Sequence, residues 1–288
     1  MAQLVWFITG TSTGIGRELA IAALDRGDKV IATARRRPES LPQIDSDLKD
    51  KGAETLELDV TEPLDHLREV AEKAIAFYGR VDVLVNNAGY GLCGAIEEST
   101  PEETYDQFNT NVFGALNVTR TFLPHMRKRK TGTVVFVGSL GGWRDLPNGG
   151  LYAATKWAVR GLSQTLHAEI APLGLRSICI DLGHFRTSFL YPGNRKTSVT
   201  RIPDYAELTE NYNAALQVYN GKQLGDPQKA AQAILDLIHG AEQGKALPRN
   251  IQFGSDCYEV AKEYCETALA NLEEWKEVSY STDFSEER

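Results

Sequence analysis

The chain has 288 residues, 42% of them apolar, enough to bury the core of one large α/β domain or two small ones. A formal net charge of -8 argues against nucleic-acid binding as the main activity. No apolar run is long enough to span a membrane, and no signal-peptide pattern opens the sequence, so neither membrane insertion nor export is expected. Cys93, Cys179, Cys257 and Cys265 form no C-x-x-C pair and no metal-ligand cluster. Cys257 and Cys265, if on one helix, lie about 12 Å apart, too far for a disulfide. A reducing, cytoplasmic compartment and no metal site are therefore expected.

The first predicted element is a strand over 4–9, an apolar run with β-branched and aromatic residues. Directly after it stands Thr9-Gly10-Thr11-Ser12-Thr13-Gly14-Ile15-Gly16, followed by a helix with Leu19, Ala20, Ala23 and Leu24 at helical spacing. Strand, glycine turn and helix together make a phosphate site credible, because glycines admit the tight turn and the helix amino terminus attracts an anion. The second strand, 29–34, runs into Arg35-Arg36-Arg37 with no carboxylate at its end. An acid in that position holds the ribose hydroxyls of an unphosphorylated cofactor, whereas a guanidinium grips a 2′-phosphate through two hydrogen bonds. Arg35 therefore points to NADP(H), with Ser12 as a supplementary hydroxyl donor.

Further strands are predicted over 55–58, 81–85, 132–137, 175–181 and 250–253, with helices over 64–77, 102–126 and 151–171 between them. This alternation implies a Rossmann-type, doubly wound parallel α/β sheet of about seven strands. One domain over 1–254 is expected, containing a substrate lid over 188–225, then a helical extension and polar tail over 255–288. Residues 279–288 read as disordered. Asp59 stands after the third strand and suits either a nucleotide contact or a helix cap, as Thr61 also does. Asn86-Asn87-Ala88-Gly89 follows the fourth strand and reads as a turn. The basic run Arg127-Lys128-Arg129-Lys130 suits a helix carboxyl terminus, and the glycosylation-like Asn117-Val118-Thr119 lies within a helical pattern.

Tyr152 and Lys156 lie four apart in a helical segment, which puts phenol and ammonium on one face at about 3.6 residues per turn. The ammonium is expected to favour the phenolate and lower the tyrosine pKa. Together with the glycine turn, Asp59-Val60, Asn86 to Gly89, Asn111 and Ser139, this pair resembles the short-chain dehydrogenase/reductase family in its compact one-domain branch, over about Thr9 to Thr187. The resemblance implies a catalytic set of Asn111 (proton relay), Ser139 (substrate oxygen), Tyr152 (general acid or base) and Lys156 (phenol tuning and nicotinamide ribose). It implies a cofactor site of Gly10, Ser12, Thr13, Gly14, Ile15, Gly16, Arg35, Asp59, Val60, Asn86, Ala88, Gly89, Tyr152, Lys156, Gly183 and Thr187. It also implies a homodimer, through the helices that carry Asn111 and Tyr152.

One segment departs from the family pattern. Asp181-Leu182-Gly183-His184-Phe185-Arg186-Thr187 has Leu182 where most members have proline, which predicts a less rigid turn. His184 is expected to be structural or to face substrate. The expected activity is NADPH-dependent interconversion of a ketone or aldehyde with an alcohol. The substrate is read as a hydrophobic or aromatic small molecule from Trp143, Phe185, Phe189, Tyr191, Tyr205, Tyr212 and Tyr219. A non-catalytic NADP(H) sensor, and an isomerase or cyclase reusing the fold, are the alternatives.

Overall fold

The protein is described here by a computed structural model covering residues 3–35, 47–191, 195–199 and 201–284. In chain order the strands are β1 (Val5–Thr9), β2 (Lys29–Ala34), β3 (Glu54–Glu57), β4 (Val83–Asn86), β5 (Gly91–Cys93), β6 (Thr133–Ser139), β7 (Arg176–Leu182), β8 (Arg195–Thr197) and β9 (Asn250–Phe253). Alternation along β1 shows how the sheet forms. Trp6 and Ile8 join one core with Leu19, Ala23 and Ile234, while Val5 and Phe7 join the other with Leu67, Val118 and Phe122. Both faces of the strand are buried, the arrangement a parallel sheet requires.

Seven strands pair in parallel in the order β3-β2-β1-β4-β6-β7-β9. Helices Gly14–Asp25 and Pro227–Glu242 cover one face; Leu64–Tyr78, Ala115–Arg129 and Gly150–Ile170 cover the other. The chain winds outward from β1 through β2 to β3, then restarts at β4 in the opposite direction. Between β1 and β4 their connections diverge, leaving a crevice at the carboxyl ends of the strands. Away from it, Asp28 locks the Pro227–Glu242 helix to β1. Its carboxylate accepts Leu4 N–H (3.0 Å) and Trp6 Nε1–H (2.8 Å) and lies 2.7 Å from His239 Nε2.

Three regions differ from the sequence reading. The helix predicted over 102–126 is divided into Pro101–Phe108, a π-helical turn at Asn109–Gly114 and Ala115–Arg129. Thr100 and Glu103 cap its start reciprocally, and Gly114 packs so closely on Val60 that a β-carbon would meet its Cγ2 at 2.8 Å. The segment over 188–225, expected as the lid, contains β8, paired in parallel with β5, and the helix Ala206–Tyr219, neither of them predicted. The extension forms the expected helix, Ser255–Glu274, but Ser279 and Tyr280 belong to a further turn of helix, Lys276–Tyr280, rather than to a disordered tail. No helix among the described residues is long and apolar enough to cross a membrane.

Candidate active site

The crevice is a single cavity of about 440 Å³ running from the glycine turn to the lid. At its nucleotide end Gly10 (φ 70°) and Gly14 (φ 64°) occupy the left-handed region, which a side chain would strain. Gly16 has no room for a β-carbon, which would run into the Asn87 amide and Gly10 oxygen. The Gly14–Asp25 helix starts at Thr13 without a side-chain cap and without an acid in its first turn. Its first backbone N–H groups are thus left for an external anion. The turn is braced from β4: Asn87 Nδ2 donates to Thr9 O (2.8 Å) and Gly10 O (3.0 Å), and Thr9 Oγ1 accepts the N–H groups of Asn87 (3.0 Å) and Ala88 (2.9 Å). Thr9 and the side chain of Asn87 were not predicted. Their only sequence signal was adjacency to Gly10 and Asn86.

Ser12, Thr13, Ile15, Arg35, Val60, Ala88, Gly89, Gly183 and Thr187, all expected at the cofactor site, also line the cavity. Arg35 is exposed at the end of β2; Arg36 and Arg37 lie outside the described residues. Four predicted residues do not reach it. Gly16 acts by close packing beneath the turn. Asn86 points away, donating to Thr119 Oγ1 (2.9 Å). Asp59 accepts the N–H (2.9 Å) and hydroxyl (2.7 Å) of Thr61 in a local turn; the next helix starts at Leu64 with Pro63 at its cap position, so neither Asp59 nor Thr61 caps it. Asn111 is buried and its side chain is fully engaged: Oδ1 accepts Tyr90 N–H (3.1 Å), and Nδ2 donates to Tyr90 O (3.0 Å) and Thr155 Oγ1 (3.1 Å).

At the centre, Ser139 ends β6 and accepts the Gly141 N–H at 3.1 Å. The Gly150–Ile170 helix carries Tyr152 and Lys156 across the end of that strand. Lys156 Nζ donates to Val137 O (2.8 Å) and stands 5.6 Å from the Tyr152 ring centre. The expected lowering of the phenol pKa is reversed. Burial pushes Tyr152 up to about 12; its hydrogen bond with Ser139 acts downward, and Asp181 and Cys93 act upward. Burial likewise presses Lys156 down to about 8, against the negative influence of Cys179 and Asp181. Desolvation disfavours each charged form; it outweighs the Ser139 hydrogen bond at Tyr152 and the negative neighbours at Lys156. Asp181 itself is buried behind β6, accepting Trp143 Nε1–H (2.7 Å) and Asn250 Nδ2–H (2.8 Å).

Leu182 does not leave the following turn loose. Gly183 N–H donates to Phe253 O (2.7 Å), and Asp256 Oδ2 accepts His184 N–H (2.8 Å) and lies 2.8 Å from His184 Nδ1. The constraint that proline supplies within the chain comes here from Asp256 on the carboxyl-terminal extension. The same helix sets Tyr264 edge-on to Trp143 and Trp157, with the Arg160 guanidinium over both indoles at 3.7 and 4.4 Å. His184 is thus held by Asp256 and Tyr219 (ring centres 5.1 Å apart) and also lines the cavity, so the structure leaves both the structural and the substrate-facing reading open.

The lid end is lined by Phe189, 5.8 Å from the Tyr152 ring, and by Leu146, Tyr212 and Leu216. Arg144, Arg195 and Gln223 line it too and were not predicted. Gln223 is 1% exposed, and neither atom of its amide has a hydrogen-bond partner among the described residues. Position in sequence gives no sign of these three, because they come from separate places: Arg144 from the loop after β6, Arg195 from β8 and Gln223 from the turn after the Ala206–Tyr219 helix.

The profile of the short chain dehydrogenase family matches residues 4–197. The chain belongs to this family. As a short-chain dehydrogenase it is similar along nearly its whole length to the oxidoreductase BOA17 of Botryotinia fuckeliana, with 33% identity over 96% of this chain and 98% of that one. A short-chain dehydrogenase of Streptomyces avermitilis, solved by crystallography, superposes with a TM-score of 0.84 at 39% identity, covering 98% of this chain and 100% of that one. Solved neighbours bind NADP or NAD. One of them, ElxO with NADP bound, has a TM-score of 0.69 at 25% identity, over 87% of this chain and 96% of that one. An oxidoreductase of the short-chain dehydrogenase family follows.

Proposed function

We propose that the chain reduces a ketone or aldehyde to an alcohol with NADPH, the reverse oxidation using the same groups. The observation that carries this reading is the convergence of Ser139, Tyr152 and Lys156 at the end of β6, in one cavity with the uncapped helix at Gly14. A turn built on Gly10 and Gly14 fits a pyrophosphate, and Arg35, with no carboxylate in its place at the end of β2, suits a 2′-phosphate. Bound there, NADPH supplies the hydride.

The chain's own residues position the carbonyl and move the proton. Ser139 Oγ holds the substrate oxygen, and such a donor contributes a few kcal/mol as negative charge develops. Tyr152 Oη gives its proton to that oxygen. The phenol is protonated at neutral pH, as the transfer needs; burial raises its pKa and weakens it as a donor, and its hydrogen bond with Ser139 acts the other way. Lys156, protonated below about pH 8, orients the phenol and the ribose and balances the forming alkoxide. Asn111 is a positioning residue through its side chain, which braces Tyr90 and Thr155 under the cavity. Apolar and aromatic lining at the lid end suits a hydrophobic or aromatic substrate.

We infer a cytoplasmic homodimer on two supports: four free cysteines, and Tyr105 and Phe113 exposed on the segment that carries Asn111. The test of function is NADPH consumption across a ketone panel with Tyr152→Phe as control. Wild-type turnover that falls about 10²- to 10⁴-fold in the variant is expected. Full activity in the variant would remove Tyr152 from the acid role.

A further inference from the structure

In a chain of net charge -8, none of the residues lining the cavity is an aspartate or glutamate, whereas Arg35, Arg144, Lys156, Arg195 and Lys196 all line it. Arg35 belongs to the cofactor end and Lys156 to the reaction centre. Lys196 is matched by Asp106 at 3.7 Å. Arg144 and Arg195 remain, both at the lid end, and neither forms an ion pair among the described residues. Arg195 Nη1 donates only to the neutral Asn213 Oδ1 (2.9 Å) and the guanidinium also bonds the Cys93 thiol. Two carboxylates on the neighbouring elements are already used, buried Asp181 by Trp143 and Asn250, and partly exposed Asp256 by His184.

Register places Arg195 beside the strand that faces Tyr152. Arg195 in β8 pairs with Gly91 in β5, and strands stand about 4.8 Å apart. A β-carbon on Gly91 would lie 3.9 Å from the Tyr152 ring. Arg144 and Arg195 both act electrostatically on the Tyr212 hydroxyl, and all three residues line the same cavity as Tyr152. Between them and Tyr152 the surface is apolar, formed by Leu146 and Phe189. A cationic patch beyond an apolar stretch selects a molecule of matching polarity, and a guanidinium fork matches a carboxylate through two parallel hydrogen bonds.

We propose that the substrate is a ketone whose apolar body ends in a carboxylate, received by Arg144 and Arg195 while the carbonyl lies at Ser139 and Tyr152. This rests on the reductase reading of the same cavity. The test uses 4-benzoylbutyrate and its methyl ester, which share the ketone and differ in the anionic end. Binding of each to the NADP-loaded protein is measured by calorimetry, and turnover by NADPH consumption, for wild type and for Arg144→Gln, Arg195→Gln and the double variant. The acid should bind and turn over at least about tenfold better than the ester, as expected for a charge-assisted hydrogen bond. That ratio should fall toward unity in the double variant and in about 0.5 M salt, which screens exposed charges. Equal binding of acid and ester, or a preference that survives the double substitution, would overturn the assignment. A binding preference without turnover of either compound would leave this assignment standing and count against the reductase reading instead.

Discussion

Lys156→Met isolates the stability cost of building this site. The ammonium ordinarily releases its proton near 10.5 and does so here at about 8, so holding it charged at neutral pH costs the fold about 3 kcal/mol. Methionine removes that cost but also the hydrogen bond to Val137 O, which contributes about 1 kcal/mol. A net gain of about 2 kcal/mol follows, or about 4 °C in Tm for a chain of this size. The pH dependence carries the sign. Between about 8 and 10.5 the unfolded chain holds the lysine proton and the folded one does not, so wild-type stability rises with pH across that window. The variant lacks this gain, so the two proteins should melt together near about pH 9.5, where the lysine contribution has recovered about 2 kcal/mol. The assay is thermal unfolding of both proteins without added cofactor, at pH 7 and at pH 9.5, with NADPH turnover alongside. Turnover should fall at least about 10²-fold while Tm rises at pH 7. A variant less stable than wild type at pH 7, or an offset unchanged at pH 9.5, would refute the reasoning.

Arg35→Asp should lower kcat/KM for NADPH about 10- to 100-fold relative to NADH, because a carboxylate replaces the phosphate-binding fork; steady-state kinetics with both cofactors checks this. Asp28→Ala strands Leu4 N–H, Trp6 Nε1–H and His239 in the core, so denaturant unfolding should show a loss of about 3 kcal/mol or more, with kcat unchanged at 25 °C. Gln223→Leu removes a buried amide without partners and should raise stability by about 1 to 2 kcal/mol in the same assay. A destabilised Gln223→Leu protein would show that its amide is satisfied in solution.

The seven-stranded sheet was legible in the sequence because its inner strands β1, β2, β4, β6 and β7 are short, largely apolar runs bounded by a turn or a helix, whereas the edge strands β3 and β9 mix polar and apolar residues. β1 is the plainest case, its residues feeding the cores on both sides of the sheet. The glycine turn was equally plain, since Gly10 and Gly14 need backbone angles that other residues disfavour. Ser139, Tyr152 and Lys156 could be assembled because they stand at strand ends or one helical turn apart. In contrast, β8 has three residues and no alternation to read, so Arg195 could not be placed beside Gly91. Asn86 and Asn87 are neighbours in sequence yet serve opposite sides, one bonded to Thr119 and the other to the glycine turn.

The chemistry of the reacting groups was thus written in local sequence: a phenol and an ammonium one turn apart, a hydroxyl at a strand end, an arginine after β2. Their ionisation was decided only by tertiary structure. A four-residue spacing predicts attraction between phenolate and ammonium, but burial under the lid and behind Asp181 removes the water that would stabilise either charge. The extension's role was decided in the same way. Asp256 and Tyr264 stand more than seventy residues after the loop they hold, and only the folded chain brings them to His184 and Trp143.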